Sequence, residues 1–197
     1  MESSKKEYLK KSFFKKDLWL SEVLNRNVFS LSHFSDNHKN LMIKSFSELC
    51  DNYLSHNLFI FTKVKTDLIK NIHTLEDLGF KLIDTNILFK RDGQLNFEEQ
   101  LKDNIEIRFA EKSHKIYLGE IAYSNFNFSR FHVDPLIKRK HADNLKKNWV
   151  ENFFLDKRGD YMVVALYDNM PIAFLQLILK EKNLIIDLIA VSSNYRG

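Results

Sequence analysis

At 197 residues, 44% of them hydrophobic, the chain is long enough for one large domain or two small ones around packed cores. Its single cysteine, Cys50, excludes an internal disulfide, no apolar run reaches the ~20 residues that cross a bilayer, and no uninterrupted apolar core follows the basic N-terminus as in a signal peptide, so a cytoplasmic globular protein is expected. The net charge of +4 comes partly from Lys5, Lys6, Lys10, Lys11, Lys15 and Lys16; without interleaved aromatics these read as a solvated basic terminus rather than a nucleic-acid surface, though a positive surface also suits an anionic substrate.

Residues 1–20 are basic and amphipathic at best, with Leu9, Phe13, Trp19 and Leu20 as anchors. The first strong signal is over residues 37–54, where Met42, Phe46, Leu49 and Tyr53 recur at helical spacing behind the capping candidates Ser35 and Asp36. Residues 58–64 are aromatic and β-branched, which predicts a strand. Thr66 or Asp67 can cap a helix with the stripe Leu68, Ile72 and Leu75, ended by Gly79 in a left-handed conformation. Residues 82–89 read as another strand, Asp92-Gly93 as a turn, and residues 94–102 as a linker that closes an N-terminal α/β unit at about residue 100.

A second unit is expected over residues 103–197. Ile105, Ile107 and Phe109 alternate with Glu106 and Arg108, the pattern of a strand with one buried face. Ser113 is the N-cap candidate for a helix with Leu118, Ile121 and Ala122 inward, and Asp134-Pro135 interrupts the loop behind it. Ala142, Leu145, Trp149 and Phe153 mark a long amphipathic helix that stops before Gly159. Strands at 161–167, 171–180 and 184–191 follow with connections short enough for hairpins, so they should be antiparallel neighbours. Lys81-Leu82-Ile83-Asp84 echoes Leu184-Ile185-Ile186-Asp187, which suggests a degenerate repeat or only two short apolar strands that look alike.

The last strand, an apolar run with Asp187 inside it, reads as a strand covered on both faces and leads into Asn194-Tyr195-Arg196-Gly197. This stretch resembles the central strand and the start of the (Arg/Gln)-x-x-Gly-x-(Gly/Ala) pyrophosphate loop of the GNAT N-acetyltransferase superfamily, with Asn194 where the superfamily prefers Arg or Gln. Residues 62–67 and 75–86, together with Ser129-Arg130-Phe131-His132-Val133-Asp134-Pro135, residues 149–154 and Arg158-Gly159-Asp160, resemble the dTDP-fucosamine acetyltransferases within it. The resemblance implies an α/β fold, an N-terminal α/β unit followed by the first half of a GNAT domain, with a mixed, mostly antiparallel sheet flanked by helices. It also implies acetyl-coenzyme A as cosubstrate and a nucleotide-linked amino sugar as acceptor. Under it the expected chain is C-terminally truncated and its general acid lies beyond residue 197. From its position alone, the last strand is expected to offer an open apolar edge to another copy or a complementing C-terminal fragment.

The same resemblance assigns the backbone of Ile189, Ala190 and Val191 to the coenzyme's thioester and pantetheine arm, and Arg196 and Gly197 to its pyrophosphate. Asp187 is either a base that takes the acceptor's ammonium proton through water, or a structural hydrogen-bond acceptor. Arg130 and His132 are either contacts to the sugar nucleotide or structural residues of their loop. The histidines and Cys50 show no zinc spacing, so no metal is expected. Acetyl transfer to a different amine, or an inactive remnant, are the alternatives to the sugar reading.

Overall fold

The computed structural model of the chain describes residues 13–91 and 104–196. The expected Asp92-Gly93 turn, the linker at 94–102, the lysines before residue 13 and Gly197 lie outside the described residues. The chain divides into two compact units between Leu82 and Ile83.

The first unit contains β1 (Phe14–Lys16), α1 (Leu18–Leu24), β2 (Asn27–Leu31), α2 (Lys39–Asn52), β3 (Leu58–Phe61) and α3 (Ile69–Asp77). β2 is the middle strand, antiparallel to β1 and parallel to β3. The sequence pattern misses it because the preceding turn is built by polar residues. Asp17 caps α1 by accepting from the Leu20 amide at 2.9 Å, and Asn25 ends that helix in the left-handed region at φ 51°. Phe14, Phe29, Leu31, Phe34, Met42 and Leu75 form the core. α2 and α3 occupy the expected stretches, although Ser35 starts a 3-10 turn and bonds His38 Nδ1 at 2.8 Å rather than capping α2. Gly79 ends α3 at φ +87°, and the Phe80 amide behind it donates to the Leu75 carbonyl at 2.9 Å.

The expected strand at 82–89 does not form: these residues are irregular, and Leu82, Leu88 and Phe89 are more than 80% exposed. β-Propensity describes how well a side chain suits a half-buried pleated surface, and here no described strand supplies that surface. The echo between Lys81-Leu82-Ile83-Asp84 and Leu184-Ile185-Ile186-Asp187 therefore has no structural counterpart.

The second unit is β4 (Ile105–Phe109), α4 (Lys115–Asn125), α5 (Arg130–Val133), α6 (Arg139–Phe153), β5 (Tyr161–Tyr167), β6 (Met170–Lys180) and β7 (Asn183–Val191). Its sheet runs β4-β5-β6-β7, antiparallel throughout. The chain is thus α/β, with helices on a sheet, as expected. Leu118 and Ala122 of α4 and Val150 of α6 meet Met162, Val164, Leu166, Phe174, Leu188 and Ala190 in a single core. Each large side chain so buried contributes about 1.5–3 kcal/mol. The α4 segment is started by Glu111 rather than Ser113, through a reciprocal capping box with His114.

Two features of this sheet depart from the sequence reading. In β4 the apolar set is the uncovered one: Glu106 and Arg108 pair with the buried Leu166 and Val164, so Ile107 and Phe109 share the opposite, solvent-facing side and are 52% and 67% exposed. β7 is an edge strand among the described residues, and Leu184, Ile185, Ile186 and Ile189 are exposed along it instead of being covered on both faces. Its pairing with β6 jumps from Leu177↔Ile186 to Gln176↔Leu188, which leaves Asp187 as the extra residue of a β-bulge. The bulge shifts the alternation, so that Leu188 and Ala190 turn into the core after the exposed run before them.

Candidate functional site

A cleft of about 650 Å³ opens in the second unit between the segment 125–129, which follows α4, and residues 186–191 of β7, with Lys146 and Arg196 completing its wall. Phe126, Phe128, Ile186 and Ile189 make much of the lining apolar. The expected coenzyme residues Ile189, Ala190 and Val191 all contribute to the lining of this cleft, and so does Asp187. Arg196 lies at the rim, where its guanidinium donates to the Val191 carbonyl at 3.0 Å and to Asn125 Oδ1 at 3.0 Å. It therefore ties the segment after β7 to the C-terminus of α4. Gly197 is outside the described residues.

The bulge determines what Asp187 does. Arg158 Nε donates to Asp187 Oδ2 at 2.7 Å and Arg158 Nη2 to Oδ1 at 2.6 Å, a two-point ion pair, and Gln176 Nε2 adds a donor to Oδ2 at 3.2 Å. Both oxygens of the carboxylate are already accepting, so a substrate ammonium must share them. Gly159 next to Arg158 has φ +82°, and a Cβ there would come within 3.0 Å of the Gln176 side chain, so the turn carrying Arg158 needs glycine for both reasons. Gln176 is fully buried, and its Oε1 has no hydrogen-bond partner among the described residues.

His132 has the second polar chain. Its ring is buried, with Nδ1 2.6 Å from Ser129 Oγ and Nε2 3.1 Å from Asp143 Oδ1. A carboxylate only accepts, so Nε2 carries hydrogen toward Asp143, and the neutral ring accepts from the Ser129 hydroxyl at Nδ1. Burial pushes the imidazole below its usual range, against the opposing hydrogen bond to Asp143, and favours that neutral form. Arg139 Nε also donates to Asp143 Oδ1, at 2.8 Å. Ser129 faces the cleft, so His132 is connected to it through that hydroxyl.

Arg130, the other expected acceptor contact, stands over the Phe131 ring at 4.5 Å, and Phe131 meets Trp149 edge-on at 5.8 Å. Arg158 lies over the same Trp149 at 4.2 Å. The arginines from α5 and from the turn after α6 are thus joined by an aromatic layer.

Sequence reading missed Asp143, Lys146 and Arg158. Arg139, Asp143, Lys146 and Trp149 recur at steps of four, three and three along α6, which puts them on one side of the helix beside the apolar stripe of Ala142, Leu145 and Val150. In sequence such residues look like part of an ordinary solvated face. Only the burial of Asp143 and Lys146, 8% and 6% exposed, sets them apart. Among the described residues no group of His, Cys, Asp and Glu is arranged to hold a metal, and no helix is long and apolar enough to cross a membrane.

No protein-family model matches the chain. Over 185 residues it is 23% identical to the spore coat polysaccharide biosynthesis protein SpsD of Bacillus subtilis strain 168, a similarity covering 93% of this chain and 63% of that protein's length. Among solved structures, an acetyltransferase candidate from Pyrococcus horikoshii is similar at 18% identity and a TM-score of 0.35, over 53% of this chain and 33% of the other. A conserved protein of unknown function from Staphylococcus epidermidis ATCC 12228 is similar at 15% identity and a TM-score of 0.44, over 95% and 71% of the two chains. Both superpositions are loose and neither bears on the site.

Proposed function

We propose that the second unit is an N-acetyltransferase unit of the GNAT fold, using acetyl-coenzyme A to acetylate the amine of a nucleotide-linked amino sugar. The observation that carries this reading is the cleft along β7, where an edge strand among the described residues, interrupted by a bulge, lines an apolar groove with its residues 186–191. An edge strand has backbone N–H and C=O groups free for an extended ligand to pair with, as a pantetheine arm does. The element order strand, helices and three antiparallel strands supports the same reading.

In this reading the Ile189 amide polarises the thioester carbonyl, a contact worth ~3 kcal/mol when aimed at the developing oxyanion. Ala190 and Val191 extend the backbone contact to the pantetheine. Arg196 anchors the segment from which Gly197 would approach the pyrophosphate. Arg130 and Arg158 make the acceptor side positive, which suits a nucleotide diphosphate, while Ser129, backed by His132, offers the sugar a hydroxyl. Asp187 keeps Arg158 in place and can share its charge with an incoming ammonium. Similarity over 93% of the chain to a protein of polysaccharide biosynthesis supports a sugar-related acceptor.

Two measurements test this. Isothermal titration should show one acetyl-coenzyme A per chain, weakened by Ile189→Pro, which removes the amide. Transfer should then be found with nucleotide-linked amino sugars and not with peptide amines. Binding without transfer to any sugar would leave the fold reading and sink the acceptor.

A further inference from the structure

Lys146 is an amine that the roles above leave unused. It is 6% exposed, yet its Nζ makes no hydrogen bond or ion pair among the described residues, and it lines the cleft together with residues 186–191. The Phe126 ring lies 4.6 Å from Nζ and the Trp149 ring 4.5 Å. Buried lysines are ordinarily paired; one that is held between two rings and open only toward a cleft has a single polar outlet, the molecule in that cleft. The Asp187 carboxylate, which acts on Lys146 electrostatically, is occupied by Arg158 and Gln176, and Asp143, one turn earlier on α6, is occupied by His132 and Arg139.

We propose that Lys146, as the neutral amine, is the base that takes the proton from the acceptor's ammonium group; the assignment rests on the acetyl-transfer reading. The acceptor enters as R–NH3⁺. One proton passes to Lys146 Nζ, the freed nitrogen lone pair forms the C–N bond to the thioester carbon, and the C–S bond breaks. The second proton moves from nitrogen to the departing thiolate, giving the amide and the coenzyme thiol. Lys146 returns its proton to solvent before the next cycle.

The surroundings ease loss of the proton, even though the faces of Phe126 and Trp149 favour the cation. Burial lowers the Lys146 pKa to about 8, and Arg158 and Arg130 act in the same direction, while the Asp187 carboxylate opposes them. His132 from α5 interacts with Lys146 electrostatically, and Arg196 lines the same cleft. A base with a pKa close to the working pH is both available and strong enough to be useful. Lysine is the residue whose pKa moves this way readily, whereas an arginine in the same place stays charged.

The test uses the 197-residue chain and a nucleotide-linked amino sugar. Lys146→Arg keeps the charge of the protonated lysine and a long side chain against the two rings but cannot act as a base. We expect kcat/KM to fall by roughly 100-fold or more, with acetyl-coenzyme A affinity retained, and the acidic limb of the wild-type profile to lie near pH 8 and vanish in the variant. In Lys146→Ala, added trimethylamine, which accepts a proton but cannot be acetylated, should restore part of the rate. Independently of activity, the Lys146 side-chain NMR signal of the wild type should titrate near 8 rather than at 10.5. Wild-type kcat/KM in Lys146→Arg, or an ordinary titration, overturns the base role while leaving acetyl transfer intact. Absence of transfer by the wild type overturns the nucleotide-sugar reading on which the assignment rests, and the base role falls with it.

Discussion

Asp187 and Arg158 show how much one side chain depends on its partner. The two-point bridge is 29% exposed on the Arg158 side chain and 12% on that of Asp187, so breaking it leaves a largely buried charge without compensation. Arg158→Ala should cost about 3 kcal/mol in denaturant unfolding of the second unit, the low end for a buried pair because Arg158 keeps partial contact with solvent. A cycle with Asp187→Asn should show strong coupling; additive losses would mean that the two side chains do not act together. Lys146 yields a prediction of opposite sense. Its folded pKa of about 8 lies below the free value of 10.5, so between these pH values the unfolded chain binds a proton that the folded chain has lost. Its contribution is therefore fully present above pH 10.5 and lost as pH falls through 8. Relative to Lys146→Met, the wild type should gain on the order of 3 kcal/mol across that window, and the variant should be the more stable protein at pH 7. Parallel stability curves for the two proteins would contradict this.

Between residues and the whole lie the strands and helices, and here the meander β5–β6–β7 was the most readable part of the chain. Alternating apolar residues and two short polar connections locate it without outside help. The turn at Asp168 and Asn169 has φ 46° and 65°, a conformation that these two residue types tolerate. At Glu181 the backbone has φ 57°, where glutamate gains nothing from its side chain. Glu181→Gly should raise the unfolding midpoint, by up to ~1 kcal/mol after the extra freedom of glycine in the unfolded chain is subtracted; a loss of stability would show that the Glu181 side chain has a role of its own. The helices were legible from short helical steps in their apolar stripes, whose residues Met42, Leu118, Ile121, Ala122, Ala142 and Leu145 are buried. What escaped was whatever depends on a distant partner. Residues 82–89 have strand composition but no described strand beside them, and Ile107 and Phe109 have the alternation of a buried face but pair onto the uncovered side of β5. In the site, the apolar strand that carries Asp187 stood out, whereas Arg158, Asp143 and Lys146 did not, because their significance comes from contacts between α6, the turn after it and β7.

For the molecule as a whole, the sheet order β4-β5-β6-β7 also implies an order in time. β5, β6 and β7 are joined by two tight turns and can pair after closing very short loops. β4 meets β5 only once α4, α5 and α6 have been brought along, a much larger closure. The meander with its helical cover is therefore expected to form the transition state for folding of the second unit, with β4 added afterward. Phe174→Leu, in the buried centre of β6, should slow folding, while Ile107→Gly in β4 should mainly speed unfolding. Trp149 is the tryptophan of the second unit and Trp19 that of the first, so stopped-flow fluorescence in a Trp19→Phe background isolates the relevant signal. The strand that comes first along this unit would then be the last to arrive, and a ribosome releasing the chain from its N-terminus would present β4 to solvent before β5 existed to receive it.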